Sequence, residues 1–483
     1  MYYDNISLLT DFYELTMMQG YHATGIVDKK VVFDLFYRTN PNGNSFSIAA
    51  GLEQAITYIQ NLKFEEDDIS YLRSLNVFRE DFLEYLRNFK FTGDIYAVPE
   101  GTVVFPFEPL VRVTAPIMEA QLVETALLTI INHQSLIATK AFRVVWAANG
   151  DPIMEFGLRR AQGPDAGVYG ARAAVIAGCV GTSNVLCGKL FGIPVKGTHA
   201  HSWVMSFPSE LEAFRKYAKI FPDACILLVD TYNTLESGVP NAIKVFGELK
   251  KEGKLKKGYG IRLDSGDLAY LSKKARIMLD EAGFDDALIS ASSDLDENLI
   301  TSLKIQGAKI SLWGVGTKLI TSDDCPAFGG VYKLAAESDE NGNFIPKIKI
   351  SNNPSKITNP GIKKVFRIYD NKSKKIKADL IVLEEETIDE SKPLTLFDRN
   401  VSWKKMQLSP GSYSVRELMV PVFKNGELVY KIPSIMEIKE YCKSETDTLW
   451  DENKRLSNPQ PIPVDLSEKL SALKREMIEE LSM

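Results

Sequence analysis

Histidine is scarce in this 483-residue chain, with four in all, and two of them, His199 and His201, stand two residues apart. Cysteine is little better represented: Cys179, Cys187, Cys225, Cys325 and Cys442 are odd in number and widely scattered. That spacing excludes a disulfide framework, offers no close pair for zinc, and fits reduced thiols in a cytoplasm. Long apolar runs are missing too, so no membrane span is expected. The opening Met1-Tyr-Tyr-Asp-Asn-Ile-Ser7 has no basic region followed by an apolar cleavable run, which leaves a secretory signal unexpected and a cytoplasmic location the natural reading. Positive charge is not in excess: 57 Lys and Arg against 63 Asp and Glu leave a net charge of −6, which argues against a general nucleic-acid binder.

What is present is ordinary globular material, 45% hydrophobic and 25% charged, in a chain too long for one small core. The middle alternates apolar runs of strand length with longer amphipathic segments, the cadence of repeated β–α units. The pattern predicts strands over 152–156, 193–196, 224–229, 258–263, 287–291 and 309–313. Helices are expected over 237–251, 266–282 and 296–306, the last capped by Asp294. Parallel strands with crossover helices bury both faces of the sheet and place chemistry at the strand carboxyl ends. Glu155, His199, His201, Asp230, Asp264, Ser292 to Asp294 and Gly314 to Thr317 all fall there. The expected class is α/β: an irregular TIM-like α/β barrel over residues 121–330, preceded by an N-terminal α+β layered domain (1–120). A mainly β C-terminal extension (331–483) follows, partly packing back on the N-terminal domain. In the N-terminal part, helices are expected over 8–21, 51–61 and 81–88, strands over 30–37, 95–98 and 103–105, and one long helix over 118–149. Lysine-rich alternating segments at 347–350 and 365–369 read as exposed antiparallel strands. Asn458-Pro-Gln-Pro-Ile-Pro-Val464 reads as a surface strap before a helix from Asp465.

Four segments carry candidate chemistry. Gly314-Val-Gly-Thr317 is a small-residue loop whose backbone N–H groups can converge on an anion, late in a β–α series where phosphate cradles occur. In Gly260-Ile-Arg-Leu-Asp-Ser-Gly-Asp267, Asp264 and Asp267 suit ribose hydroxyls or magnesium and Arg262 suits a carboxylate, while Ser265 or Asp267 also serves as a helix cap. Glu155-Phe-Gly-Leu-Arg-Arg-Ala-Gln-Gly163 puts two arginines in one glycine-bounded loop, a pair matched to a dianion or pyrophosphate. Gly197-Thr-His-Ala-His-Ser-Trp203 allows either a metal pair or a histidine nucleophile; a barrel metallohydrolase needs further ligands, and His22 and His133 lie in helical patterns outside the barrel.

Read together, these residues resemble the nicotinate phosphoribosyltransferases, of the type II phosphoribosyltransferase fold. The matching pieces are Leu9-Thr-Asp-Phe-Tyr-Glu-Leu-Thr-Met17, Phe33-Asp-Leu-Phe-Tyr37, Phe156-Gly-Leu-Arg-Arg160, Gly197–Trp203, Gly260–Asp267, Ser292-Ser-Asp294, Gly314–Thr317 and Phe328-Gly-Gly-Val-Tyr-Lys333, in family order. The resemblance implies synthesis of nicotinate mononucleotide and pyrophosphate from nicotinate and 5-phosphoribosyl 1-pyrophosphate, coupled to ATP through a phosphohistidine, in NAD salvage. By the same resemblance His201 is the phosphorylated residue, with Asp264 in the catalytic group. Tyr13, Thr198 and Arg262 hold nicotinate, and Arg159, Ser293, Gly314, Gly316 and Thr317 hold the phosphoribosyl and phosphate groups. It implies ATP and Mg²⁺ as cofactors, the Mg²⁺ carried by substrate phosphates rather than a permanent protein site. A homodimer with the site at its interface is also implied, with Tyr13 contributed across it. Ser202 stands where many relatives carry glutamate, so a different carboxylate must orient the His201 imidazole. The rival readings are a nicotinamide phosphoribosyltransferase and a metal-dependent barrel hydrolase using His199 and His201.

Overall fold

The structure, a computed structural model, describes residues 5–399, 401 and 403–482. The reading of residues 1–4 lies outside them. The chain divides into two compact units, one of residues 137–326 and the other of residues up to 136 together with those from 327 onward.

The first unit is built on a six-stranded sheet in which every pair is parallel. Its spatial order is Gly181–Thr182, Ile153–Glu155, Leu312–Val315, Leu288–Ala291, Gly260–Leu263, Ile226–Leu228. Ile261, Leu263, Ile289, Ala291, Trp313 and Val315 are buried, as expected of strands covered on both faces by crossover helices. Gly260 is needed where two strands approach closely: a Cβ there would lie 2.1 Å from the Leu288 carbonyl oxygen. The helices Val239–Lys251, Leu268–Glu281 and Glu297–Ile305 follow three of the strands. Asp267 caps the second, its Oδ1 accepting from Tyr270 N–H at 2.9 Å. Asp296, not the expected Asp294, caps the third by accepting from Leu299 N–H at 2.7 Å. A single π turn, Thr234–Gly238, precedes Val239–Lys251.

The α/β class stands, and the expected irregular TIM-like barrel is present only as a half-barrel sheet: Gly181–Thr182 and Ile226–Leu228 are its two edges, and no ladder joins them among the described residues. The expected strand over 193–196 contributes only an isolated bridge, Thr182 to Val195. Beyond it the chain coils into the short helices His201–Met205 and Glu210–Ile220. The Gly181–Thr182 strand carries no sequence pattern long enough to announce itself.

The second unit holds a seven-stranded antiparallel sheet, ordered Phe344–Pro346, Gly330–Ser338, Lys30–Tyr37, Val111–Pro116, Asp94–Ala97, Val420–Lys424, Glu427–Leu428, with strands from both ends of the chain. A six-stranded sheet follows in the order Lys405–Leu408, Leu394–Asp398, Val464–Leu466, Ile376–Leu383, Lys363–Asp370, Tyr413–Glu417. Arg367 in that sheet is buried and paid for by two carboxylates, Asp379 at 2.6 Å and Glu445 at 2.9 Å. Residues 347–350 alternate in sequence yet form no strand. The proline segment leads into a strand whose Asp465 is buried, and the last helix starts at Glu468 behind a Ser467 cap rather than at Asp465. The long helix expected from 118 is two, Ile117–Leu122 and Glu124–Ala147. No described helix is long and apolar enough to cross a membrane.

Candidate active site

The carboxyl ends of the parallel strands open into a cavity of about 350 Å³. Eight residues marked from sequence line it together: Arg159, Thr198, Arg262, Asp264, Ser293, Gly314, Gly316 and Thr317. Phe156, Arg160, His199, Ser292 and Asp294, which lie in the segments singled out from sequence, are further wall residues. Tyr13 belongs to the other unit. It sits half-exposed on the helix Phe12–Thr24, where burial and then the charges of Glu124 and Glu14 push its phenol up. Glu14 itself is buried beside Thr125 and is pushed up to about 8, burial being the main cause.

Arg262 organises the cavity wall. Its Nε donates to Ser292 Oγ at 2.8 Å, Nη1 to Thr198 Oγ1 at 2.7 Å, and Nη2 to Asp264 Oδ1 at 3.1 Å. The Ser292 hydroxyl in turn donates to Asp264 Oδ1, so one serine ties arginine to carboxylate. Burial alone would raise the Asp264 carboxyl; the Ser292 hydrogen bond and the Arg262 charge outweigh it and hold it below the usual carboxylate range. Asp264 is thus an anion at neutral pH, fixed in place before any ligand arrives.

The two imidazoles of the 197–203 segment have separate surroundings. His199 is buried against Tyr217, with ring centroids 4.6 Å apart. Its Nε2 accepts from Leu228 N–H at 3.2 Å, and its Nδ1 stands 3.3 Å from the Ala200 carbonyl. Burial pushes it down to about 4, aided by the Arg262 charge, so it is a neutral ring at physiological pH. His201 begins the helix His201–Met205 and is partly exposed. Its Nδ1 is 3.1 Å from Thr231 Oγ1, and its Nε2 is 3.7 Å from Asp264 Oδ2. Asp264 is therefore the carboxylate facing His201 in the absence of a glutamate at position 202. Asp230 braces it from below: Asp230 Oδ2 accepts from Asp264 N–H at 2.9 Å and from Ser265 Oγ at 2.6 Å, while its Oδ1 is buried without a partner. Asp230 was legible only as a strand-end acid, and Thr231 gave no signal at all, because a threonine after an aspartate has no pattern of its own.

Two loops complete the wall. Arg159 and Arg160 lie on the single turn Leu158–Arg160. Gly314 is fixed by packing, since a Cβ there would meet the Phe156 ring at 2.5 Å. Ser293 takes φ of 130°, a conformation favoured by glycine, which marks strain at the cavity mouth. Among the described residues, no group of three or more His, Cys, Asp or Glu is arranged to hold a metal ion.

Arginines, a fixed carboxylate and a glycine loop over the carboxyl edge of an open parallel sheet define an α/β protein suited to a phosphorylated small molecule. Sequence profiles narrow the class. Residues 8–132 match the nicotinate phosphoribosyltransferase N-terminal domain, 152–324 the nicotinate phosphoribosyltransferase family, and 362–474 its C-terminal domain. The chain is 49% identical over 478 residues to a nicotinate phosphoribosyltransferase of Bacillus subtilis, covering 99% of this chain and 96% of that one. It is 32% identical to the human nicotinate phosphoribosyltransferase, covering 96% and 95% of the two chains. The crystal structure of human nicotinic acid phosphoribosyltransferase superposes with a TM-score of 0.84 at 30% identity over 97% of this chain and 99% of that one. The chain belongs to the nicotinate phosphoribosyltransferase family and is a transferase enzyme.

Proposed function

We propose that the protein joins nicotinate to 5-phosphoribosyl 1-pyrophosphate in NAD salvage, and couples this transfer to ATP hydrolysis through phosphorylation of His201. The observation that carries the reading is the single cavity lined by Arg159, Arg262, Asp264, Ser293, Gly314, Gly316 and Thr317. In the transfer, the pyridine nitrogen lone pair forms the new bond to ribose C1 while the C1–O bond to pyrophosphate breaks and its electrons leave with pyrophosphate. Pyridine nitrogen needs no deprotonation, so no strong base is required. Asp264, held as an anion, stabilises positive charge developing on the ribose, and Arg159 with Ser293, Gly314, Gly316 and Thr317 receives the phosphate groups. Thr198 and Arg262, already 2.7 Å apart, receive the nicotinate carboxylate.

Magnesium fits this donor set through hard oxygens, Asp264 and Asp294, and when bound with pyrophosphate it supplies charge neutralisation. Asp264 and Asp294, both on the cavity wall, would hold magnesium together with the substrate phosphates, with no permanent protein site required. In the coupled step, the γ-phosphoryl group of ATP passes to an imidazole nitrogen of His201, the bond to ADP breaks, and hydrolysis of the N–P bond later releases orthophosphate. Thr231 Oγ1 at Nδ1 and Asp264 Oδ2 near Nε2 hold the ring from both sides for this step. A homodimer accounts for apolar side chains exposed on the helix Val185–Phe191, where Val185, Leu186 and Leu190 face solvent, and for Phe12 and Tyr13 exposed on another helix. In that dimer Tyr13 stacks on nicotinate across the interface.

The hydrolase alternative needs both imidazoles turned to one metal, whereas His199 spends Nε2 on the Leu228 amide. Selectivity for the acid over nicotinamide is read by competing the two in one assay. ATP coupling is tested by His201→Ala: acid-labile radiolabel from [γ-³²P]ATP and ATP stimulation should both vanish while ATP-independent transfer persists. Full ATP stimulation without His201 would sink the phosphohistidine.

A further inference from the structure

Glu155 ends the strand Ile153–Glu155 beneath the cavity, fully buried, and it does not line the cavity itself. A buried carboxylate is costly unless its oxygens are satisfied, and each Glu155 oxygen has a donor. Oε1 accepts from the Gly157 N–H, and Oε2 accepts from Thr182 Oγ1 at 2.5 Å. Burial raises the carboxyl, and these two hydrogen bonds work against that rise. The Thr182 hydroxyl oxygen also accepts from Asn184 N–H at 2.9 Å, and Asn184 Nδ2 donates to the Gly167 carbonyl at 3.1 Å. The carboxylate therefore ties the start of one loop to the neighbouring strand and, through it, to the helix Pro164–Ile176.

The tied loop is the one that carries Phe156, Arg159 and Arg160 into the cavity. Its path is tightly set at Gly157, where a Cβ would lie 2.5 Å from Ile320 Cβ and 2.8 Å from Glu155 Oε1. The Gly157 carbonyl then accepts from Arg160 N–H at 2.8 Å to form the turn. The residue whose amide Glu155 grips is thus the residue that starts the arginine turn. We propose that Glu155 is a positioning residue for phosphoribosyl pyrophosphate: acting through Gly157 and Thr182, it fixes the arginine turn at the spacing the substrate phosphates require. The proposal rests on the reading that this turn binds those phosphates.

Steady-state kinetics of the full-length enzyme test it. Glu155→Ala should raise KM for phosphoribosyl pyrophosphate about tenfold and leave KM for nicotinate within about twofold. Glu155→Gln keeps an acceptor for Gly157 N–H and should restore most of that loss. Thr182→Val, which removes the second donor without touching the buried acid, should raise the same KM about threefold, so the claim stays testable if Glu155→Ala fails to fold. In an Arg159→Ala/Arg160→Ala background, the Thr182→Val and Glu155→Ala effects should largely disappear, as expected of residues acting through one another. Equal loss for both substrates, or an effect that multiplies undiminished on the arginine-free background, would overturn the positioning role. If the arginine-free enzyme itself keeps a normal KM for phosphoribosyl pyrophosphate, the phosphate-binding reading of the turn is what fails.

Discussion

Burial sets the two imidazoles of the 197–203 segment apart, and one consequence is a stability that depends on pH. His199 titrates near 4 in the folded protein against about 6.5 for an unfolded histidine. Between those values the unfolded chain binds the extra proton, so the stability contribution is full above about pH 6.5 and drains away as pH falls toward 4. His199→Gln retains an acceptor for the Leu228 amide and removes the titration; urea unfolding should give a flatter stability profile from pH 6.5 to 4 than the parent shows. His199→Ala leaves that buried amide unpaired, and about 1–3 kcal/mol should be lost at about pH 7, the difference from the parent shrinking as pH falls toward 4. The candidate site was legible at this scale wherever a residue type carries its chemistry openly: Arg159, Arg262, Asp264 and the glycines of 314–317 could be marked and do share one cavity. Ser292 could be marked only by its place at a strand end and Thr231 not at all, because a hydroxyl earns its role only from the partner the fold brings to it.

Among elements, the short parallel strands announce themselves as apolar runs, and five of the six lie inside segments predicted as strand or overlap them. The sixth, Gly181–Thr182, is a two-residue edge with a glycine and no periodicity. The β–α cadence left the sheet open or closed, and the strand expected at 193–196 in the irregular TIM-like barrel supplies one bridge only. Cadence reports how many units follow one another, while closure depends on whether the edge strands are long enough to meet, which no local pattern records. The central pairing is the stricter constraint. Gly260→Ala places a Cβ 2.1 Å from the Leu288 carbonyl oxygen, so the strands must part. An overpacking cost of about 1–3 kcal/mol is expected, read as a lower melting temperature with reduced kcat, because Arg262 sits on the displaced strand and Asp264 directly follows it.

For the whole molecule, what remains is how the apolar surface is covered. Leu186 is 52% exposed and Leu190 53% exposed on one short helix, apolar surface that the proposed homodimer would cover. Leu186→Glu should shift sedimentation equilibrium toward monomer and lower turnover if Tyr13 reaches the cavity of a second copy. A monomeric parent protein with full activity would contradict the shared site. The central claim is the reaction itself, and mass identification of the products decides it: nicotinate, phosphoribosyl pyrophosphate and Mg²⁺ are supplied with ATP present or omitted. The account predicts nicotinate mononucleotide and pyrophosphate, with ADP and orthophosphate formed and the yield raised when ATP is present. Unconsumed nicotinate under every condition, or an equal yield with ATP left intact, would contradict it.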